Sequence, residues 1–346
     1  MSGSGNVAAW LGNFGFAIFL VAAALSLALL LLLRPLLQRY ALVHPNARSS
    51  HKTPTPQGAG IGVIAATIGT VAGTSVLLGD VSDHSLWLVL AATVLIAIVG
   101  AIDDISPIPV LPRLVLQAVC VAIVLAAVPN DLRVVPSFPY WLERPLLGVA
   151  ILWFVNLVNF MDGIDWMTTA ETVSVTAGLV VIGGLGALST SELVVALALG
   201  GAVVGFAPLN RPVAKLFLGD VGSLAIGLLL AWLLVSVAGR GHLAGALLLP
   251  LYYIADATIT LFQRIVRGEP IWQAHRTHFY QRATDRGFTV MAIVGRVLAL
   301  NIALAILATI SVYWDGTIVQ LTTLACGVAL VSWLLFAFAA RENASL

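Results

Sequence analysis

Eleven apolar runs, each close to a bilayer's thickness of helix and separated by short polar connections, leave this chain few ways to fold. A hydrocarbon core about 30 Å thick needs about 20 apolar residues to cross it, and only a helix satisfies its own backbone on the way. The runs fall at 13–33, 59–78, 86–102, 111–128, 145–161, 168–185, 192–209, 221–238, 243–262, 292–314 and 317–339. The two that flank 183–191 are the weakest, with many glycines and poor turn signals. Composition agrees: 60% of the 346 residues are hydrophobic and 10% are charged, against about 25% charged in a soluble domain. Such a chain cannot cover a water-facing surface. The predicted fold is all-α, a single polytopic membrane domain over 1–346 with about 11 transmembrane helices.

The first run has no basic residue before it and is long enough to span, so it reads as a membrane helix and not as a cleaved signal. Cys120 and Cys326 stand singly in apolar runs, without the spacing of a zinc site or a disulfide framework, and read as packing residues. Orientation comes from Lys and Arg, which collect on the cytoplasmic side. With the N-terminus outside and the C-terminus in the cytoplasm, fourteen of the 17 basic residues fall inside, and only Arg133, Arg144 and Arg240 fall outside. The polar loops 34–58, 103–113, 162–168, 209–221 and 263–291 then face the cytoplasm. Glu143 and Glu192 read as ordinary outer-loop acids, and Arg133 as a position where substitution is near neutral.

Carboxylates in or beside membrane helices are costly and mark function by default. Asp103 and Asp104 adjoin at the end of the third run, where their repulsion suggests a metal or cationic partner; a solvated helix end is the equal alternative. Asn156, Asn159, Asp162 and Asp165 recur every three residues, which gathers their oxygens on one face if the segment is helical. Such a cluster suits Mg²⁺ with phosphate, or a nucleotide base edge, while the plainer reading of Asp162-Gly163 is a cap and turn. Asp220 either caps the eighth helix or, with Lys215 and the neighbouring glycines, holds a phosphate or a metal. Asp256 is the one acid read as deep, and a partner such as Arg264 or Arg296 explains it as well as catalysis does.

His275, Arg276 and His278 lie in the longest inner loop. Guanidinium groups fork onto phosphate oxygens, whereas zinc would lack a third ligand. Positive-inside charge explains the arginines there but not the histidines. Arg48 and His51 belong to a basic, Pro- and Gly-rich stretch, 40–62, which is either a rigid linker or another wall of an anion site. Each signal is modest alone. Their convergence on the inner loops points to a metal-assisted enzyme with an anionic substrate at the inner membrane surface.

At these residues the chain resembles the polyprenyl-phosphate N-acetylhexosamine-1-phosphate transferases. That family includes the enzymes that start O-antigen and enterobacterial common antigen synthesis, and the muramoyl-pentapeptide translocase of peptidoglycan synthesis. The resemblance rests on ordered motifs: Arg48 and His51 with Pro54 to Gly60, Asp103-Asp104 followed by Arg113, Leu114 and Gln117, Asn159-Phe160-Met161-Asp162-Gly163-Ile164-Asp165, Phe217-Leu218-Gly219-Asp220-Val221-Gly222-Ser223, and the basic His loop. It implies transfer of a sugar-1-phosphate from a UDP-N-acetylhexosamine to undecaprenyl phosphate, with release of UMP, at the bacterial inner (plasma) membrane. It implies Mg²⁺, with Mn²⁺ as an alternative, on Asp220, Asp103, Asp104 and Asp162. Asp103, Asp104 and Asp220 would be catalytic. Arg48, His51, Arg113, Asn156, Asn159, Asp162, Asp165, Lys215, His275, Arg276 and His278 would bind substrate. Membrane lipids are the remaining partners, a homodimer is allowed, and no nucleic acid is implied.

Two departures stand out. Trp166 occupies a position where the family usually has Gly, and the loop reads Ala274-His275-Arg276-Thr277-His278 in place of a His-rich run. Such a loop is more similar to that of the O-antigen branch, whose donors are UDP-GlcNAc or deoxy-amino sugars such as UDP-FucNAc and UDP-QuiNAc. An intramembrane prenyltransferase would need a second Asp-rich repeat that is missing here. A transporter would place its charges near the midplane of both halves, whereas these acids crowd one face.

Overall fold

The computed structural model describes residues 14–43, 54–78, 83–270 and 275–340. The apolar runs become helices: α1 (Phe16–Tyr40), α2 (Gly60–Leu78), α3 (His84–Ile105), α4 (Val110–Ala127), α5 (Tyr140–Met161) and α6 (Met167–Ile182). They continue as α7 (Thr190–Phe206), α8 (Asp220–Gly239), α9 (Leu243–Leu248), α10 (Leu251–Val266), α11 (Phe279–Asp285), α12 (Val290–Tyr313) and α13 (Thr317–Ala339). α6 runs on through a wider π turn, Gly183–Ala187, which makes it long enough to cross.

Nine of the described helices are long and apolar enough to span a membrane. Two of the eleven expected crossings differ. α7 has 17 residues, roughly 25 Å of rise. The run 243–262 is broken into α9 and α10 at Pro250, whose ring nitrogen cannot continue a helical hydrogen-bond ladder.

α8 is the axis of the bundle: 94% of its span is buried inside the protein, with α2, α3 and α5 packed around its length. α7 is likewise enclosed, by α1, α2 and α6. α4, α12 and α13 turn large apolar side chains outward, as helices facing lipid do. One small β-ladder qualifies the all-α expectation. β1 (Leu42–Val43) pairs antiparallel with β2 (Thr55–Pro56). The stretch before α8 then joins it: Phe217 N–H donates to Pro56 O at 2.8 Å, and Ala59 and Gly60 N–H donate to Phe217 O and Leu218 O. This stitching fixes the start of α2 against the start of α8.

At the bundle end formed by the starts of α5 and α7, two acids depart from the ordinary-loop expectation. Glu143 is 2% exposed; it accepts a hydrogen bond from Arg133 Nε and another from Val135 N–H at 2.8 Å. Arg133 is therefore the cation of a buried acid and not a neutral loop position. Glu192 pairs with Arg240 at 2.9 Å and closes a capping box with Ser189. A further acid, Glu171, is buried in α6, where Asn301 Nδ2 of α12 donates to its Oε2 at 2.7 Å. Asp256 is thus not the only deep carboxylate.

Candidate active site

The other end of the bundle gathers most of the expected residues. Asp103 and Asp104 share the last turn of α3. Successive helical residues point about 100° apart, and these two carboxylates serve different partners. Asp104 Oδ1 accepts the N–H of Asp220 at 2.9 Å, Oδ2 accepts that of Val221 at 3.2 Å, and Gln57 Nε2 donates to Oδ1 as well. Asp104 therefore caps α8 from a neighbouring helix, against the positive end of its dipole. Gly219 lets the carboxylate in: its φ is +77°, and a Cβ there would sit 2.5 Å from Asp104 Oδ2. Gly100 on α3 has the same role, since a Cβ would lie 2.4 Å from the Asp220 carbonyl oxygen.

Asp103 Oδ1 accepts Ile108 N–H at 2.6 Å, and Oδ2 takes Arg113 Nη1 at 2.7 Å. Asp220, the first residue of α8, stands beside both: its side chain is within hydrogen-bonding reach of Asp103 and of Asn159. Asn159 Nδ2 in turn donates to Ser223 Oγ at 2.9 Å. Asp162 follows directly on α5 and accepts from Thr168 Oγ1 at 2.6 Å. Burial pushes its carboxyl from 3.8 up to about 6; the nearby charges of Asp104 and Asp165 add to this, and the Thr168 bond opposes it.

The His loop docks on the same corner. Tyr280 OH donates to Phe160 O at 3.1 Å, and Gly163 leaves it room, because a Cβ there would meet that hydroxyl at 2.1 Å. His278 is 2% exposed; its ring stacks on His275 at 5.0 Å, and its Nδ1 lies 3.2 Å from Asp256. Burial and the neighbouring His278 and Arg264 lower His275 to about 4, which keeps it neutral. Asp256 thus pairs with His278 and not with Arg264 or Arg296. Arg264 bonds Glu269 at 2.7 Å, and the Arg296 guanidinium lies 4.5 Å over the Phe288 ring.

Several expected residues are not in the pocket. Asn156 is buried between α4 and α5, where it donates to Gln117 Oε1 at 2.8 Å. Asp165 Oδ2 accepts Ala214 N–H at 3.0 Å, so it braces the loop before α8. Lys215 is exposed on that loop and has no ion-pair partner among the described residues. Arg276 turns back within its own loop, onto Asp285 at 3.2 Å and Thr284 at 2.9 Å. Arg48 and His51 lie outside the described residues. Trp166, where the resemblance implies Gly, holds a left-handed backbone, φ 63°, a conformation glycine adopts most readily. Its N–H donates to Asn210 Oδ1 at 2.8 Å and its indole N–H to Ala207 O at 2.7 Å.

The donor set of Asp220, Asp162 and the Asn159 amide offers only hard oxygen ligands. Neither acid has a cation partner among the described residues. This chemistry fits Mg²⁺, which takes one or two carboxylates and completes its shell with water and phosphate. Two members of the four-carboxylate metal set expected from the sequence already hold other partners. Asp103 and Asp104 give their oxygens to Arg113, Ile108 and the first turn of α8, and no trio of His, Cys, Asp or Glu among the described residues is placed to hold an ion alone. Gln57, Thr168 and Tyr280 join the site unforeseen; Gln57 sits inside a motif but is not ionisable, so a search for charge passes over it.

Fold and site define a polytopic all-α membrane protein with a cluster of carboxylates at one end of the bundle. The family model for glycosyl transferase family 4 matches residues 86–238. A probable undecaprenyl-phosphate N-acetylglucosaminyl 1-phosphate transferase of Bacillus subtilis is 25% identical over 84% of this chain and 86% of its own length. A decaprenyl-phosphate N-acetylglucosaminephosphotransferase of Mycobacterium leprae is 27% identical, covering 73% and 72%. A phospho-N-acetylmuramoyl-pentapeptide-transferase of a Mycobacterium species (strain JLS) is 29% identical, covering 70% and 82%. The chain is thus similar to glycosyl transferase family 4 over its central helices and to polyprenyl-phosphate N-acetylglucosamine-1-phosphate transferases over most of its length.

Proposed function

We propose that this protein transfers an N-acetylhexosamine-1-phosphate, of the GlcNAc, FucNAc or QuiNAc type, from a UDP-sugar to undecaprenyl phosphate. The products are undecaprenyl-diphosphate-sugar and UMP, and the step initiates a cell-surface polysaccharide, O-antigen in the reading favoured by the Ala274–His278 loop. The pocket faces the cytoplasm of a bacterial inner membrane in this reading, as the distribution of Lys and Arg supports. One observation carries the proposal: Asp220 and Asp162 are held beside Asp104 with no cation partner among the described residues. A pocket of that sign accepts a diphosphate only together with a cation.

Mg²⁺ is the cofactor of this reading, on Asp220 and Asp162; when bound it neutralises the diphosphate and polarises the scissile bond. Asn159 and the two histidines line the donor side. Arg113, steadied by Asp103, keeps guanidinium N–H groups for the acceptor phosphate. An oxygen of that phosphate attacks the sugar-bearing phosphorus, the bond from this phosphorus to the bridging oxygen breaks, and UMP leaves with that oxygen. A phosphate monoester loses its second proton at about pH 6, so the acceptor is already largely dianionic at neutrality and needs no strong base. An apolar cavity of about 220 Å³ runs along α5 from Leu147 past Trp153 to Leu157, opposite Leu247 and Ile254. It suits part of the acceptor's isoprenoid tail.

The test is purified protein with undecaprenyl phosphate, Mg²⁺ and a panel of UDP-sugars, read by UMP release. Turnover with at least one UDP-N-acetylhexosamine, lost with EDTA, is expected. No UMP from any donor would overturn the reading.

A further inference from the structure

We propose that Asp256 is a positioning residue: it takes the Nδ1 proton of His278 in a hydrogen bond, so fixing the imidazole tautomer and keeping Nε2 as the nitrogen available to an anionic substrate. The proposal rests on the transferase reading for the identity of that substrate, but its geometry stands apart from it.

Asp256 is 0% exposed, in the middle of α10. Every polar neighbour of its carboxylate comes as a donor or can do so. Oδ1 accepts Phe279 N–H at 3.0 Å and Thr260 Oγ1 at 3.3 Å, with His278 Nδ1 at 3.2 Å. Oδ2 accepts Tyr280 N–H at 3.2 Å and Tyr252 OH at 3.2 Å. An ionised carboxylate offers acceptors only, and a buried one is costly unless its oxygens are filled. The nitrogen of His278 that faces it must therefore carry hydrogen.

Two further contacts remove the ring's freedom. His278 is stacked between His275 at 5.0 Å and Tyr280 at 5.8 Å. Its backbone begins α11, whose first amides, Phe279 and Tyr280, are held by the same carboxylate. One side chain thus sets the start of the helix, the position of the ring and its tautomer. Nε2 has no hydrogen-bond partner among the described residues. A histidine committed at Nδ1 offers Nε2 as an acceptor when neutral and as a charged donor when protonated, and the protonated form suits a phosphate oxygen. Neither motif spacing nor charge counting links these residues, since they stand 22 positions apart.

The experiment is ¹⁵N NMR of the full-length protein labelled at its six histidines, recorded at alkaline pH, with His278→Gln to assign the signal. The expected wild-type pattern is the Nδ1–H tautomer; an Nε2–H pattern overturns the proposal. In Asp256→Asn the tautomer should move toward Nε2–H and kcat should fall about 10- to 100-fold, as for other residues that orient a histidine, with partial recovery in Asp256→Glu. A folded Asp256→Asn with an unchanged tautomer and unchanged kcat also overturns it. Should that variant not fold, the wild-type spectrum decides, together with Tyr252→Phe, which removes one donor from Asp256 and should leave His278 as it was. A wild type without turnover on any UDP-sugar would sink the transferase reading, while the tautomer would still be measured.

Discussion

The two ends of the bundle handle buried acids in opposite ways. At the far end each acid closes on a cation: Glu143 on Arg133, and Glu192 on Arg240. At the site end the carboxylates of Asp103, Asp104, Asp162 and Asp220 share one paired cation among the described residues, the Arg113 that bonds Asp103. Asp104 is satisfied by backbone amides, Asp162 by a threonine hydroxyl and Asp220 by an asparagine. The hydrogen bonds are made but the charge is left standing. Buried acids left without a paired cation are uncommon away from functional sites, and this surplus is what the proposed function would use.

Substitutions can break or sharpen this contrast. The largest effect is expected from Asp220→Asn, which should abolish UMP release while the thermal unfolding profile in detergent stays close to wild type. Retained turnover would mean that the surplus charge has no catalytic use. Asp104→Asn should be costly in a different manner. Its amide would place a donor against the N–H groups of α8, so stability should fall by about 1–3 kcal/mol and turnover should drop with it, through displacement of Asp220. A variant that loses activity with no loss of stability would reassign Asp104 from cap to ligand.

At the far end, Arg133→Ala should lower stability by about 1–2 kcal/mol, the modest side of such a loss because Arg133 is partly solvated. The specific activity of the folded fraction should not change, and a large kinetic defect would deny the division between the ends. At neutral pH the smallest effect concerns His275, lowered to about 4 from 6.5. The unfolded chain binds its proton more readily, so this residue's contribution to stability is complete above pH 6.5 and disappears as pH falls toward 4. His275→Gln should flatten that part of the stability-against-pH curve; an unchanged slope would put a charged imidazole in the loop.

Much of this was legible in the residues. Apolar run length located the nine spanning helices, and the Asp103-Asp104, Asn159–Asp165 and Phe217–Ser223 motifs converge because each lies where a helix meets a loop at the same end. The failures have physical causes. Run-counting cannot weigh one proline, so 243–262 read as continuous although Pro250 divides it. The three-residue spacing grouped Asn156 with Asp162, but α5 stops at Met161, and Asn156 faces α4. Charge alone could not separate Asp103 from Asp104, whose roles depend on which way each points around the last turn of α3. Asp256 found its partner far along the chain, and no local pattern reports that.

The grip of Asp104 on α8 has a mechanical consequence. With both oxygens engaged by the amides of Asp220 and Val221, and with Gly100 in contact with the Asp220 carbonyl, α3 and the head of α8 form one rigid corner. No loop intervenes between the Asp104 carboxylate and the first turn of α8, so the end of α3 and the Asp220 backbone are held as one unit.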